Sequence, residues 1–213
     1  MTTMTGARPA PRVRAAWAAV HAPAAGVSRR ARMAALAVPV TVLPSSAWRI
    51  AVCTFHAPIA RGDLIAGVTA SGLPGVPLAA YVVMLSVVSE LLAFTAVGLV
   101  STWGEVFPRW LPGLRGRRVP ALAAAVPAAL GAAVLTVLWT WTAVALGLGL
   151  RIDGRPQSAD APLSFGDWQG LLAVAAYAPL LLWGPLLGAV TVSYWKRRRR
   201  ARPGSRPNAP SPD

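Results

Sequence analysis

The chain alternates between long apolar stretches and shorter polar ones. Residues 76–103 contain one charged side chain, and residues 119–150 and 168–195 contain none. A helix needs about 20 mostly apolar residues to cross the hydrocarbon layer of a membrane, so each stretch is long enough. Residues 119–150 exceed that length, and we expect the ends of this helix to tilt or project.

A fourth apolar stretch, residues 33–55, is interrupted by Pro39, Pro44 and Arg49. Cut before Arg49, it would be short for a span and would suit a cleavable signal peptide. Val52 is too large for the small-residue position before a cleavage site, however, and Arg49 would break the apolar core. We therefore predict an uncleaved span here, and four membrane helices in all: 33–55, 76–103, 119–150 and 168–195.

Composition agrees with a membrane protein. Hydrophobic residues make up 55% of the 213 residues and charged residues only 13%, about half of the roughly 25% usual in soluble domains. Cys53 is the only cysteine, which excludes a disulfide scaffold within one chain. The sequence therefore predicts an all-α integral membrane four-helix bundle.

The distribution of positive charge predicts how the helices are oriented. Of the 21 Lys and Arg residues, 17 lie in residues 1–32, 104–118 and 196–213. Positive residues collect on the cytoplasmic side of short membrane loops, so four crossings with cytoplasmic N and C termini account for the pattern. We expect a disordered basic cytoplasmic arm at 1–32, a membrane domain at 33–195 and a disordered polybasic cytoplasmic tail at 196–213. The many Ala, Arg, Gly and Pro residues are typical of a GC-rich genome, and the expected location is a bacterial plasma membrane.

The start of the tail is a run of five basic residues: Lys196, Arg197, Arg198, Arg199 and Arg200. Each could gain about 1 kcal/mol near an anionic leaflet, so anionic headgroups of the inner leaflet are expected contacts. An orientation signal is the simpler interpretation, and a docking site for another protein is a further one. Nucleic acid is not an expected partner, because no recognisable binding module accompanies the charge.

Arg49 and Glu90 are the only charged residues inside the four predicted spans. At 1.5 Å per helical residue, they lie about 24 Å and about 20 Å from the cytoplasmic face, on consecutive helices. A charge inside a membrane is costly and normally finds a partner. We predict an intramembrane pair, which is either structural or ion-coupling; alternatively, Arg49 extends to the outer interface.

Hydroxyl groups at similar depths could complete the hydrogen bonds of this pair. Ser45 and Ser46 precede Arg49 by one helical turn, and Ser86 precedes Glu90 by one turn. Thr136 and Tyr177 fall at about 25 Å and about 27 Å in the third and fourth spans. These residues form the predicted supporting polar layer.

Three strings resemble a group of uncharacterised four-span membrane proteins of GC-rich, actinobacterial-type bacteria. They are Leu-Pro-Ser-Ser-Ala-Trp-Arg at 43–49, Gly-Glu-Val-Phe-Pro-Arg-Trp at 104–110 and Tyr-Ala-Pro-Leu-Leu-Leu-Trp-Gly-Pro at 177–185. The resemblance implies a shared four-span fold over residues 33–196 and no established activity. It draws attention to Glu105 and Arg109, four residues apart at an inner hinge, where a helical turn would pair them.

The chain lacks the common catalytic, phosphate-binding and metal-binding signatures, so we expect no catalytic residues, cofactor or metal. The leading hypothesis is a non-enzymatic membrane scaffold or accessory subunit organised by Arg49 and Glu90. The alternative is a proton- or cation-coupled small-solute transporter with Glu90 as the coupling acid. Expected partners are membrane lipids and either another membrane protein or a second copy of the chain.

Overall fold

The computed structural model describes residues 24, 26–60, 75–104, 119–157, 161 and 163–200. These residues form helices and no β-strand; Leu150 and Pro156 make an isolated antiparallel bridge. Four helical segments are long and apolar enough to cross a membrane, judged by length and composition: Arg29–Cys53, Leu78–Gly98, Ala121–Gly147 and Trp168–Arg200. The prediction of an all-helical chain with four such segments is confirmed.

Helix α1 (Arg29–Cys53) begins four residues before the predicted boundary at Met33. The side chain of Ser28 explains this, because its oxygen accepts a hydrogen bond of 3.2 Å from the backbone N–H of Ala31 and so caps the first turn. Pro39 and Pro44 lie inside the helix, as prolines of membrane helices often do. Residues 29–32 therefore belong to α1 rather than to a disordered arm.

Helices α2 (Leu78–Gly98) and α3 (Ala121–Gly147) each begin directly after a proline, Pro77 and Pro120. The missing N–H of proline costs nothing there, because the first N–H groups of a helix have no partner within it. A short 3₁₀ helix, Thr102–Gly104, follows α2. Both helices end a few residues before the boundaries predicted from hydropathy.

The fourth segment is broken in the middle. Helix α4 (Trp168–Tyr177) passes into a 3₁₀ helix (Ala178–Leu182) and then into helix α5 (Trp183–Arg200). The break coincides with Pro179, which cannot donate the hydrogen bond that a continuous α-helix requires. The carboxylate of Asp167 caps the start of α4, where it accepts a 2.7 Å bond from the N–H of Gly170.

Helix α1 lies at the centre of the helix bundle. It packs along α2 on one side and along α4, the 3₁₀ helix and α5 on the other, while α3 packs on α5 and the 3₁₀ helix. Helices α2 and α3 follow one another in the chain but share no extended contact. The expectation that consecutive helices are neighbours therefore holds for α1 and α2, the two helices that carry the predicted pair.

Two apolar clusters form the core. The first cluster joins Val38 and Val42 of α1, Ala93 of α2, and Val190 and Tyr194 of α5. The second cluster joins Trp48 and Val52 of α1 to residues of α2 and α4, namely Val82, Ala173 and Ala176. Between the two clusters, α1 and α2 carry the predicted polar residues.

Gly184 allows a close approach between α3 and α5. A Cβ atom added there would lie 2.8 Å from the carbonyl oxygen of Ala132 and would also collide with Thr136. At Gly188, one turn later, an added Cβ would lie 3.7 Å from the Cβ of Ala132, which is an ordinary contact. Of the two glycines in this four-residue spacing, Gly184 is therefore the one that the packing requires.

We expect Gly184→Ala to lower the free energy of unfolding by about 1–3 kcal/mol, the usual cost of forcing extra volume into a packed core. The matched control is Gly188→Ala, which should be neutral or slightly stabilising because alanine favours the helix. Unfolding in mixed detergent micelles, followed by circular dichroism, measures both. Equal stability of the two variants would contradict the close approach at Gly184.

Candidate functional site: a polar layer between α1, α2 and α4

The side chain of Arg49 packs against the protein. Its Nη2 donates a hydrogen bond of 3.5 Å to Oγ of Ser46, one turn back along α1, and its Nε is buried. Arg49 also lies only four residues before Cys53, the last residue of α1. The inward direction of the side chain, and not its position on the helix, therefore brings the charge into the polar layer.

Ser46 stands between the two charges. Its hydroxyl lies beside the carboxylate of Glu90, and the charge of Arg49 acts on the same carboxylate. No nitrogen of Arg49 comes within 4.0 Å of a Glu90 oxygen, so among these described residues the two do not form a direct ion pair. The expectation that the side chains meet is therefore corrected: the Ser46 hydroxyl accepts from Arg49 and is placed to donate to Glu90.

Tyr177 completes the layer from the fourth segment. It is the last residue of α4, at the break, and its hydroxyl interacts with Arg49. The ring lies edge-on to Trp48, with centroids 5.7 Å apart and planes at 81°, and 6.2 Å from the ring of Trp139. Ring contacts with α1 and α3 thus hold Tyr177 beside the polar layer.

Two members of the predicted polar layer do not join it. The hydroxyl of Ser45 donates to the carbonyl of Val42 over 2.9 Å, within its own helix turn. The hydroxyl of Thr136 donates to the carbonyl of Ala132 over 2.7 Å and faces Gly184. Both hydroxyls therefore bond to a carbonyl group of their own helix. The estimated depth of a residue in the membrane, on which the prediction was based, does not show this choice of partner.

A groove opens beside the layer, between α1 and α2, with a volume of about 520 Å³. Its polar lining consists of Ser46, Ser86 and Glu90. Ser86 is only 2% exposed, and neither its Oγ nor Oε1 of Glu90 has a hydrogen-bond partner among the described residues. All three polar residues are predictable from the sequence, whereas the groove is not.

The basic run at 196–200 is helical, which corrects its assignment to a disordered tail. Arg197 donates a 3.2 Å bond to the carbonyl of Leu99, just past the end of α2, and Arg198 donates to the carbonyl of Val119, just before α3. The other three basic side chains, Lys196, Arg199 and Arg200, are exposed, and the guanidinium of Arg199 lies 4.8 Å from the Trp195 ring. Two arginines thus contact the protein itself, and three remain directed outward.

The inner-hinge residues Glu105 and Arg109 lie outside the described residues. Among the residues that the structure describes, no three His, Cys, Asp or Glu side chains gather as metal ligands would. The polar layer is therefore the site on which a functional argument can be based.

Comparison of the chain with known protein families, with curated proteins and with solved structures finds no match. The class of protein consequently rests on the chain itself. Four apolar helices of sufficient length, with a polar layer between three of them, are compatible with a multi-pass integral membrane protein. The resemblance drawn from the three strings stays a prediction.

The contacts of Arg197 lead to a prediction about stability. Arg197→Gln should lower the free energy of unfolding by about 1–2 kcal/mol, because a charged hydrogen bond to the end of α2 is lost. The control Arg200→Gln, at an exposed side chain of the same helix, should change it by less than about 0.5 kcal/mol. Both are measured by unfolding in mixed micelles; equal effects would show that Arg197 does not hold the helix ends together.

Proposed function

We propose that the protein is a non-enzymatic membrane scaffold or accessory subunit, organised by the polar layer around Arg49 and Glu90. The observation that supports this most directly is that one guanidinium connects three spans. Arg49 of α1 interacts with Glu90 of α2 through Ser46 and with Tyr177 of α4. Such an arrangement favours a defined register of the helices over any reaction.

Energetics support a structural role for the layer. A single charge at the centre of a span costs about 2.5–3.5 kcal/mol on insertion scales, and the cost falls when an opposite charge and hydroxyl groups lie nearby. Opposite charges on facing helices favour the register that brings them together over registers that separate them. This is a specificity argument, because an apolar pair of similar size could be equally stable.

A coupled effect on stability tests this proposal. Glu90→Gln should lower the free energy of unfolding by about 1–3 kcal/mol, because Arg49 would stay inside without an opposing charge. The double variant Arg49→Met/Glu90→Met should recover most of that loss, since no uncompensated charge remains. Unfolding in mixed micelles gives all three values, and Thr95→Val on the exposed side of α2 serves as the control.

Proton flux in the same variants distinguishes the second candidate, a proton- or cation-coupled transporter of a small solute. The break in the fourth segment at Tyr177 favours that candidate, because transporters use discontinuous helices at their ion sites. In liposomes loaded with a pH-sensitive dye, a transporter would lose flux in Glu90→Gln and in the double variant while remaining folded. A Glu90→Gln protein unchanged in both stability and flux would contradict both candidates.

The proposed location is a bacterial plasma membrane, with both termini in the cytoplasm and the basic run 196–200 at the inner leaflet. Its support is the charge asymmetry of the connections, since 17 of 21 Lys and Arg residues lie in three of the five non-spanning segments. Anionic headgroups are the proposed contacts of the exposed Lys196, Arg199 and Arg200.

Reporter fusions test this orientation. A fluorescent protein that folds only in the cytoplasm should be active at both termini, and alkaline phosphatase, which needs the periplasm, should be inactive at both. Alkaline phosphatase inserted after Gly154, in the turn that follows α3, is the matched positive control. Phosphatase activity at either terminus would contradict the proposed topology.

A further inference from the structure

A short hairpin, residues 148–157, follows directly after α3. The N–H of Leu150 donates a hydrogen bond of 2.8 Å to the carbonyl of Ala145, as in the Schellman motif that ends many helices. Gly149 has the positive φ of 68° that this motif requires, and the bridge between Leu150 and Pro156 closes the hairpin. The direction of the chain therefore changes sharply at the end of the helix.

Trp141 fixes the position of the hairpin tip. Its indole N–H donates a hydrogen bond of 2.9 Å to the carbonyl of Ile152. Trp141 lies six residues before Gly147, the last residue of α3, which is about 9 Å along the helix axis. The tip therefore lies beside the last turns of α3 and does not extend away from the helix.

The hairpin exposes both apolar and charged side chains. Leu148 and Ile152 are 67% and 59% exposed, although both are large and apolar. Arg151 and Arg155 are exposed as well, and each Nε atom is nearly 4 Å from a carboxylate oxygen of Asp153, at 3.8 Å and 3.9 Å. One acidic group between two arginines leaves the hairpin amphipathic, with a net positive charge that a ligand can reach.

The apolar side chains of the hairpin continue the exposed side of α3. Val137, Trp141 and Val144 are exposed and recur at the four- and three-residue spacing of one helix face, on which Leu148 follows. The opposite side of α3 packs on α5 and the 3₁₀ helix. In a helix that crosses a membrane, an exposed apolar face contacts lipid. The lipid that covers this face of α3 therefore also meets the hairpin beside it.

The length of α3 indicates the depth of the hairpin. Its 27 residues extend about 40 Å, whereas the hydrocarbon core of a bilayer is about 30 Å thick and the headgroup regions bring the total to about 40–45 Å. A centred helix of this length ends among the headgroups. Trp141 then lies near the boundary of the hydrocarbon, where tryptophan is enriched in membrane proteins. Arginine at this level can bind the phosphate groups of lipids.

We propose that the hairpin 148–157 is an interfacial anchor that binds the phospholipid surface at the end of α3. Its two exposed apolar side chains lie among the first carbons of the acyl chains, and its two arginines contact headgroup phosphates. The bond from Trp141 holds the tip at this depth. Such an anchor fixes the depth of α3, which is the least buried of the four candidate spans. The inference requires that the chain crosses a membrane and is independent of the polar layer.

Fluorescent labels on single cysteines test the inference with the full chain in liposomes. Cys53→Ala first removes the native cysteine. A dye is then attached to one of three variants, Ile152→Cys, Arg155→Cys or Val137→Cys. Three quenchers are compared: lipid with a nitroxide near the top of the acyl chain, lipid with a nitroxide on the headgroup, and iodide on both sides of the membrane.

The position of each label determines the expected quenching. The label at Ile152 should respond more to the acyl-chain nitroxide than to the headgroup nitroxide, and it should lose most of its response to iodide. The label at Arg155, the matched control on the same hairpin, should respond most to the headgroup nitroxide. The label at Val137 provides the reference for a side chain of α3 that faces lipid.

Trp141→Phe tests how the tip is held. Phenylalanine keeps an aromatic ring but cannot donate the hydrogen bond to the carbonyl of Ile152, so quenching by iodide should return at that position. The labels at Arg155 and Val137 should change little, and circular dichroism verifies that each variant is folded. An unchanged response at Ile152 would contradict the holding role of this bond.

Two other outcomes overturn the inference. Strong quenching by iodide at Ile152 in the otherwise unchanged protein would place the tip in water. A label at Ile152 that is shielded from iodide and from both nitroxides would show that protein, such as a second copy of the chain, covers the tip. None of these measurements involves Glu90, so their failure would leave the stability test of the polar layer unaffected.

Discussion

The proposed organising role depends on how the guanidinium of Arg49 is accommodated among the helices. Arg49 belongs to α1, the helix that contacts α2 and all three parts of the fourth segment. Its charge acts on Glu90 in one direction and on Tyr177 in the other, with Ser46 between the two charges. Because an isolated charge inside a membrane is expensive, these contacts favour one arrangement of α1, α2 and α4 over others that would pack equally well.

The helices could be predicted from the sequence because the hydrophobicity of many residues adds up along each stretch. Each apolar stretch exceeds the length of a span by its own composition, so no tertiary information is needed. The exact ends could not be predicted in this way. The start of α1 involves a cap by Ser28. The last turns of α5 contain Arg197 and Arg198, which bond to carbonyl groups 98 and 79 residues earlier in the chain.

The polar layer was predictable only in part, for a related reason. Charges inside an apolar helix are conspicuous, so Arg49 and Glu90 stand out. One-turn spacing adds Ser46, which bonds to Arg49, and Ser86, which lines the same groove as Glu90 but has no hydrogen-bond partner among the described residues. Depth alone also selected Ser45 and Thr136, yet both hydroxyls bond to their own helix. A serine or threonine hydroxyl can bond to its own helix or to a neighbouring one, and the choice depends on how the helix that carries it is rotated about its axis. A uniformly apolar sequence carries little information about that rotation.

The charge of Glu90 is compensated only in part by its neighbours. The Ser46 hydroxyl lies between the carboxylate and Arg49, and Oε1 of Glu90 is buried without a hydrogen-bond partner among the described residues. Attraction between the two charges therefore acts across a hydroxyl group and not through a direct ion pair. In a medium of low dielectric constant this attraction is strong, and a register of α1 and α2 that separated the charges further would be costly. An indirect pair can thus favour one register of the two helices without a direct contact between the charged groups.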